Sequence, residues 1–194
     1  GISLDIPAGQ TVAITGSNGS GKSTTLKALL GTAPITSGDA QLFGRSISAR
    51  RRVPWNKIGY VPQRAYLFSG TVASNVAYPQ DQETTGQVHD AVEQALETAQ
   101  ASGFVAQMEG GTDAAITQGG TNVSGGQRQR LSIARALAAS PEILIFDDSF
   151  SALDYSTDRA LRRALAQRDP RATTLVVAQR IGTIRDADQI IVLE

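Results

Sequence analysis

Nine consecutive residues, Gly16-Ser17-Asn18-Gly19-Ser20-Gly21-Lys22-Ser23-Thr24, carry the spacing G-x-x-x-x-G-K-[ST], the pattern of a loop that wraps phosphate groups. Glycines let the main chain approach an anion closely. Successive backbone N–H groups and a helix N-terminus supply positive potential, and Lys22 adds a mobile charge for the β- and γ-phosphates of a bound triphosphate. Ser23 is expected to offer its hydroxyl to Mg²⁺. A second pair of reactive groups, Asp147-Asp148, closes the apolar run Ile143-Leu144-Ile145-Phe146. Two acids after a strand are, alone, more often a helix cap or a solvated turn. With the phosphate loop upstream they read as a metal site: Asp147 holding Mg²⁺ directly or through water, Asp148 facing the water that attacks beyond the γ-phosphate.

These groups need elements to hold them. Apolar, β-rich runs at 12–15, 58–61, 143–146, 174–178 and 190–193 alternate with helix-like stretches, the pattern of a mainly parallel sheet with crossover helices and hence of an α/β fold. The phosphate loop falls between the strand at 12–15 and the helical 26–30. The acidic pair falls at the C-terminal edge of the sheet, where ligands bind. Between about 69 and 120 the pattern becomes helical, with Val88, Val92, Ala95, Leu96 and Ala99 at three- and four-residue spacing and no buried-strand runs. This predicts an inserted helical subdomain, the core being about 1–68 and 121–194. Ile2, Leu4 and Ile6 alternate and predict a β-rich N-terminal edge. The ends at Gly1 and Glu194, each beside a strand pattern, read as those of a piece of something longer. Gly119-Gly120-Thr121-Asn122 reads as a loop before the next helix.

The chain has 194 residues, with 18 Lys plus Arg against 18 Asp plus Glu. That length buries a sizeable single core, and the balance leaves no uniformly basic surface for duplex binding. Nucleic acid is therefore not the expected partner. Cysteine is absent, which excludes disulfides and thiolate metal sites and makes a reducing cytoplasm the default. No stretch reaches the roughly 20 apolar residues of a spanning helix, and no signal segment opens the chain.

Between the two sites lies Val123-Ser124-Gly125-Gly126-Gln127-Arg128-Gln129-Arg130, followed by an amphipathic run. Here the chain resembles the ATP-binding cassette family over essentially its whole length, Ser124, Gly125, Gly126 and Gln127 matching the signature motif. Ser124 and the glycines open a helix whose free N–H groups form an anion site, but one loop cannot close around both ends of the same triphosphate. The resemblance implies that this loop completes the nucleotide site of a second cassette. It further implies a P-loop NTPase core, and ATP with Mg²⁺ as cofactors. Gln63, in Tyr60-Val61-Pro62-Gln63, matches the metal- and water-sensing glutamine, and Ser151-Ala152-Leu153-Asp154 matches the inter-subunit loop, placing Asp154 at the nucleotide interface. Tyr66-Leu67-Phe68-Ser69-Gly70-Thr71-Val72 looks like the exporter version of the segment that meets the helices of a transmembrane domain. The implied partners are that domain and a second cassette, at the cytoplasmic face of a membrane. The family's adenine-stacking aromatic would fall before Gly1.

Three positions depart from the family pattern. Most active cassettes carry glutamate at Asp148; aspartate is shorter by one C–C bond, about 1.5 Å, and a misplacement of about 1 Å at a reacting centre costs on the order of 10²-fold. Gln179, in Val177-Ala178-Gln179-Arg180, replaces the usual histidine and cannot ionise near neutral pH. His89, the one histidine, lies far in sequence from every motif and reads as a surface or packing residue. Gln118-Gly119-Gly120 departs from the acid-arginine-glycine common in exporters. The changes at Asp148 and Gln179, beside intact nucleotide-binding and signature motifs, look like the degenerate-site half of a heterodimeric multidrug-type exporter, slow at its own site and completing the partner's. The alternatives are a self-sufficient homodimeric exporter ATPase and a soluble cassette ATPase of translation or DNA repair. Arg50-Arg51-Arg52 and Trp55 read as a solvated loop with one packed aromatic, and Arg159, Arg162, Arg163 and Arg168 as an exposed helix face.

Overall fold

A computed structural model of the chain describes residues 3–47, 53–78 and 85–194, without the side chains of 85–87. In chain order the elements are β1 (Thr11–Gly16), α1 (Lys22–Leu29), β2 (Gln41–Leu42), β3 (Arg45–Ser46), β4 (Ile58–Val61), β5 (Gly70–Thr71) and α2 (Val72–Val76). There follow α3 (Thr85–Thr98), α4 (Ser102–Val105), β6 (Ala115–Ile116), α5 (Gly125–Ala138), β7 (Ile143–Asp147), α6 (Tyr155–Ala166), β8 (Thr173–Val177), α7 (Ile181–Ile184) and β9 (Gln189–Leu193).

Five strands form one parallel sheet in the order β4-β7-β8-β1-β9. Parallel pairing demands crossovers, and crossovers cover both faces, so the strands read as continuous apolar runs. Every residue of β7 is buried. Its side chains alternate: Ile143 and Ile145 join Leu26 and Leu30 of the α1 side, while Leu144 and Phe146 join Leu131, Ile133 and Leu161 from α5 and α6. All five strands run the same way, so β1, β4, β7 and β8 deliver the loops carrying Lys22, Gln63, Asp148 and Gln179 to one edge.

The helical stretch buries Val92, Ala95, Leu96 and Ala99 in the same apolar cluster as the sheet face, with Val88 packed against it. The segment contains a short ladder, β5 antiparallel to β6 with Gly70 opposite Ile116, which ties its two ends together. A two-residue pairing is too short to leave an alternation in the sequence. The Gly119-Gly120 loop takes left-handed backbone at both glycines (φ 75° and 65°), and Arg128 Nη1 donates to the carbonyls of Gly119 and Gly120 at 3.2 and 3.0 Å.

The N-terminal strand needs correction. Residues 3–10 form no ladder, and Ile2 lies outside the described residues. Alternation makes a strand only where a neighbour accepts its backbone, and β1 is already paired on both sides, by β8 and β9. Ile6 still packs against the α1-side cluster. The β-rich edge is instead the β2–β3 hairpin, which turns through Phe43 and Gly44 at positive φ (53° and 69°), the backbone of a two-residue turn. Arg50, Arg51 and Arg52 lie outside the described residues. Trp55 is exposed rather than packed, and His89 is exposed on α3. Arg162 is not an exposed residue of its helix: its side chain is 16% exposed and bridges Asp158 and Asp186. Among the described residues no helix is long and apolar enough to cross a membrane.

Candidate active site

β1 ends at Gly16, whose φ is 147°; a Cβ there would meet the Leu193 carbonyl oxygen at 2.1 Å. This glycine is thus demanded by the neighbouring strand. Gly19 and Gly21 differ: both have left-handed backbone (φ 86° and 94°) and open space around the absent Cβ, so turn conformation and room for a ligand select glycine there. Gly21 enters α1 with no side-chain cap, leaving the first N–H groups of the helix free for an anion. Lys22 is 8% exposed; its ammonium donates to the carbonyls of Gly16 (3.0 Å) and Ser17 (2.7 Å), arching over the loop. Asn18 and Gly19 are exposed at the loop tip, as is Thr24 on α1. The buried Ser20 hydroxyl has no hydrogen-bond partner.

The loop meets the acidic edge through Ser23, whose Oγ donates to Asp147 Oδ1 at 2.8 Å. Tyr60, one strand away, donates its hydroxyl to Asp147 Oδ2 at 3.3 Å. Burial first, then the Asp147 charge and this hydrogen bond, push the phenol up to about 12, so it stays a neutral donor.

Asp148 is a non-glycine residue in the left-handed region (φ 49°). That strain is held from both sides, the Asp148 N–H donating to Val177 O at 3.0 Å and its carbonyl accepting from Ser151 Oγ at 2.6 Å. Gln63 Nε2 donates to its carboxylate at 3.1 Å. Burial raises the carboxyl's pKa above the usual aspartate value; the Gln63 hydrogen bond opposes this, the Asp147 charge adds to it, and Lys22 and Arg180 oppose it. Gln179 reaches the phosphate loop itself, its Nε2 donating to Asn18 Oδ1 at 3.1 Å.

A second group forms at the start of α5. Ser124 and Gln127 close a reciprocal capping box, with Gln127 N to Ser124 Oγ at 3.2 Å and Ser124 N to Gln127 Oε1 at 2.9 Å. Gly125 has open space where a Cβ would stand, and a Cβ on Gly126 would lie 3.5 Å from Ala152 O, beside the turn that leads to Asp154. Asp154 caps α6, accepting from Ser156 and Thr157, and these hydrogen bonds hold its carboxyl well below the usual range. The structure therefore brings Asn18, Lys22, Ser23, Gln63, Asp147, Asp148 and Gln179 into one connected site. Ser124 and Gln127 make their hydrogen bonds to each other at the start of α5, and Asp154 makes its own at the start of α6.

Sequence reasoning missed Tyr60 and Arg180. The Arg180 guanidinium donates to the carbonyls of Leu153 (2.8 Å), Ser151 (2.9 Å) and Phe150 (3.5 Å), locking the turn after the acidic pair. Their only sequence signal is nearness to two site residues: Tyr60 stands three residues before Gln63, and Arg180 directly follows Gln179.

The residues present suit ATP with Mg²⁺. An uncapped helix start, an unpartnered buried hydroxyl and a lysine over glycine backbone form an anion cradle. The hydroxyl and carboxylate of Ser23 and Asp147 are hard oxygen donors.

A family model for ABC transporters matches residues 1–151. The chain is 46% identical over 198 residues to an uncharacterized ABC transporter ATP-binding protein of Mycobacterium tuberculosis, covering all of this chain and 33% of that protein. It is 39% identical over 194 residues to the ATP-dependent lipid A-core flippase of Escherichia coli K12, again covering all of this chain and 33% of the relative. The solved structure of a bacterial Atm1-family ABC exporter with ATP bound superposes with a TM-score of 0.90 at 34% identity, over all of this chain and 34% of that one. The chain thus spans about a third of the length of the relatives it matches. With a family match across most of its residues and the phosphate loop and acidic edge joined as described, the chain belongs to the ABC transporter family, as a nucleotide-binding domain.

Proposed function

We propose that the chain is the ATP-binding and hydrolysing motor of an exporter, and the degenerate-site half of a heterodimer. The observation that carries the motor reading is the Ser23–Asp147 hydrogen bond at 2.8 Å, which couples the phosphate loop to the carboxylate edge. In this reading Lys22 turns from the loop carbonyls to the β- and γ-phosphates, and the N–H groups of 19–24 orient the triphosphate. Ser23 and Asp147, with Gln63, would hold Mg²⁺, which when bound would neutralise negative charge on the triphosphate. Asp148 accepts a hydrogen bond from the attacking water, and Gln179 donates to the γ-phosphate side.

The degenerate reading rests on Asp148 and Gln179. The shorter Asp148 carboxylate is engaged by Gln63, and Gln179 is engaged by Asn18; neither departs from its partner without breaking a hydrogen bond. Ser124, Gly125, Gly126 and Gln127, with Asp154, then face a second, non-identical cassette and complete its site. Residues of about 69–120 act as a helical subdomain facing the membrane partner. Tyr66, Phe68 and Tyr78 are each more than 40% exposed and pack ring to ring at 5.5 and 4.9 Å, with Arg135 5.1 Å from the Phe68 ring centroid. This aromatic surface suits the intracellular helices of a transmembrane domain, at the cytoplasmic face of the membrane. The flippase and Atm1-family likenesses favour an exporter.

The test is ATP turnover of the polypeptide carrying this chain, with nucleotide binding measured in parallel. Binding with negligible turnover at this site supports the degenerate half. Robust turnover by a homodimer sinks it and leaves the motor reading intact.

A further inference from the structure

The Tyr60–Asp147 hydrogen bond ties two adjacent strands together at the acidic edge. Tyr60 is the third residue of β4 and Asp147 the last of β7, on adjacent parallel strands whose register pairs Tyr60 with Ile145. Side chains two residues apart on a strand share a face, so Tyr60 stands beside Ile145 and its hydroxyl reaches forward to Asp147. The ring packs against the α1-side cluster with Ile145 and Leu26, which fixes where the hydroxyl ends. Asp147 is 6% exposed. Its two oxygens meet donors from separate elements, Oδ1 from Ser23 on α1 and Oδ2 from Tyr60.

A carboxylate gripped at one oxygen swings about its terminal torsion, which is broad; gripped at both, it cannot. We infer that Tyr60 is a positioning residue for the metal-side carboxylate: its hydroxyl holds Oδ2 so that Oδ1 stays turned toward Ser23 and the phosphate loop when nucleotide arrives. This rests on the reading of Asp147 and Ser23 as the Mg²⁺ holders. Partners that orient a ligating carboxylate contribute to metal affinity without touching the metal.

The experiment is calorimetric ATP binding to the polypeptide carrying the chain, across a Mg²⁺ titration and in EDTA, for wild type, Tyr60→Phe, Ser23→Ala and Asp147→Asn. Tyr60→Phe keeps the ring in its packing and removes only the donor. The Mg²⁺ concentration giving half of the metal-dependent gain in affinity is expected to rise roughly fivefold to tenfold in Tyr60→Phe. Its ATP affinity in EDTA should stay at the wild-type value, and its melting temperature without nucleotide should fall by no more than the few degrees that one lost hydrogen bond costs. An unchanged Mg²⁺ midpoint overturns the inference, as does an equal loss of affinity with and without Mg²⁺, which would mean a packing role alone. If Ser23→Ala and Asp147→Asn also leave the midpoint unmoved, the metal-site reading itself is what fails.

Discussion

The phosphate loop and the start of α5 are both glycine-rich entries into helices, yet they satisfy their polar groups in opposite ways. At α1 the entry residue is Gly21 and no side chain caps the helix; the polar groups around it are reached by residues 124 and 161 positions away in sequence, through Ser23–Asp147 and Asn18–Gln179. At α5 the hydroxyl of Ser124 and the amide of Gln127 cap each other locally. The first arrangement leaves helix N–H groups open and builds a site from the same chain. The second is self-sufficient as a fold element and offers an outward surface. A helix start that stays uncapped costs stability unless something else pairs with it, so the asymmetry separates a place for a ligand from a place for a partner.

Lys22 separates the two helix starts most sharply. Lys22→Ala removes the ammonium that arches over the phosphate loop and should weaken ATP binding at least on the order of 100-fold, read by calorimetry; retained affinity would mean that the uncapped loop is not the phosphate site. Next in size, Asp148→Glu together with Gln179→His should raise turnover at this site by roughly 10-fold to 100-fold in a dimer that binds ATP. A flat rate in that dimer would refute the degenerate-site account. At α5 the expected effect is smaller and of another kind. Ser124→Ala should lower stability by about 1 kcal/mol through the lost cap, seen in thermal denaturation, while ATP affinity at the chain's own site stays put and ATP-dependent association with the second cassette falls.

The smallest effect is a pH shift. Because burial raises the Asp148 pKa, its ionised form is lost, as pH falls, sooner than an ordinary aspartate near 3.9 would be. Turnover that depends on it should show an acid limb displaced upward, and Gln63→Ala, which deletes the hydrogen bond opposing the shift, should displace it further. The native state holds the extra proton in that window, so this group's contribution to stability falls as pH rises through it. A pH–rate profile without the displacement would place Asp148 in water rather than at the buried edge.

Much of this was legible in the chain alone. The five runs of Val, Ile, Leu and Phe specify buried parallel strands because only a sheet covered on both faces tolerates unbroken apolar residues, and the Gly-Lys-Ser spacing states its chemistry through residue type. Ala95, Leu96 and Ala99 declare a helix by period. The ladder of β5 with β6 is too short to carry a period, and the expected strand at Leu4 and Ile6 fails because pairing is a property of the neighbour. What the tertiary structure alone decided are the contacts between strand ends: Tyr60 against Asp147, Gln63 against Asp148, Gln179 against Asn18, and Arg180 over the carbonyls of 150–153. Residue types set what these groups can donate or accept. Which of them meet depends on strand order and register, and those are settled by packing across the whole core rather than by any local stretch of sequence.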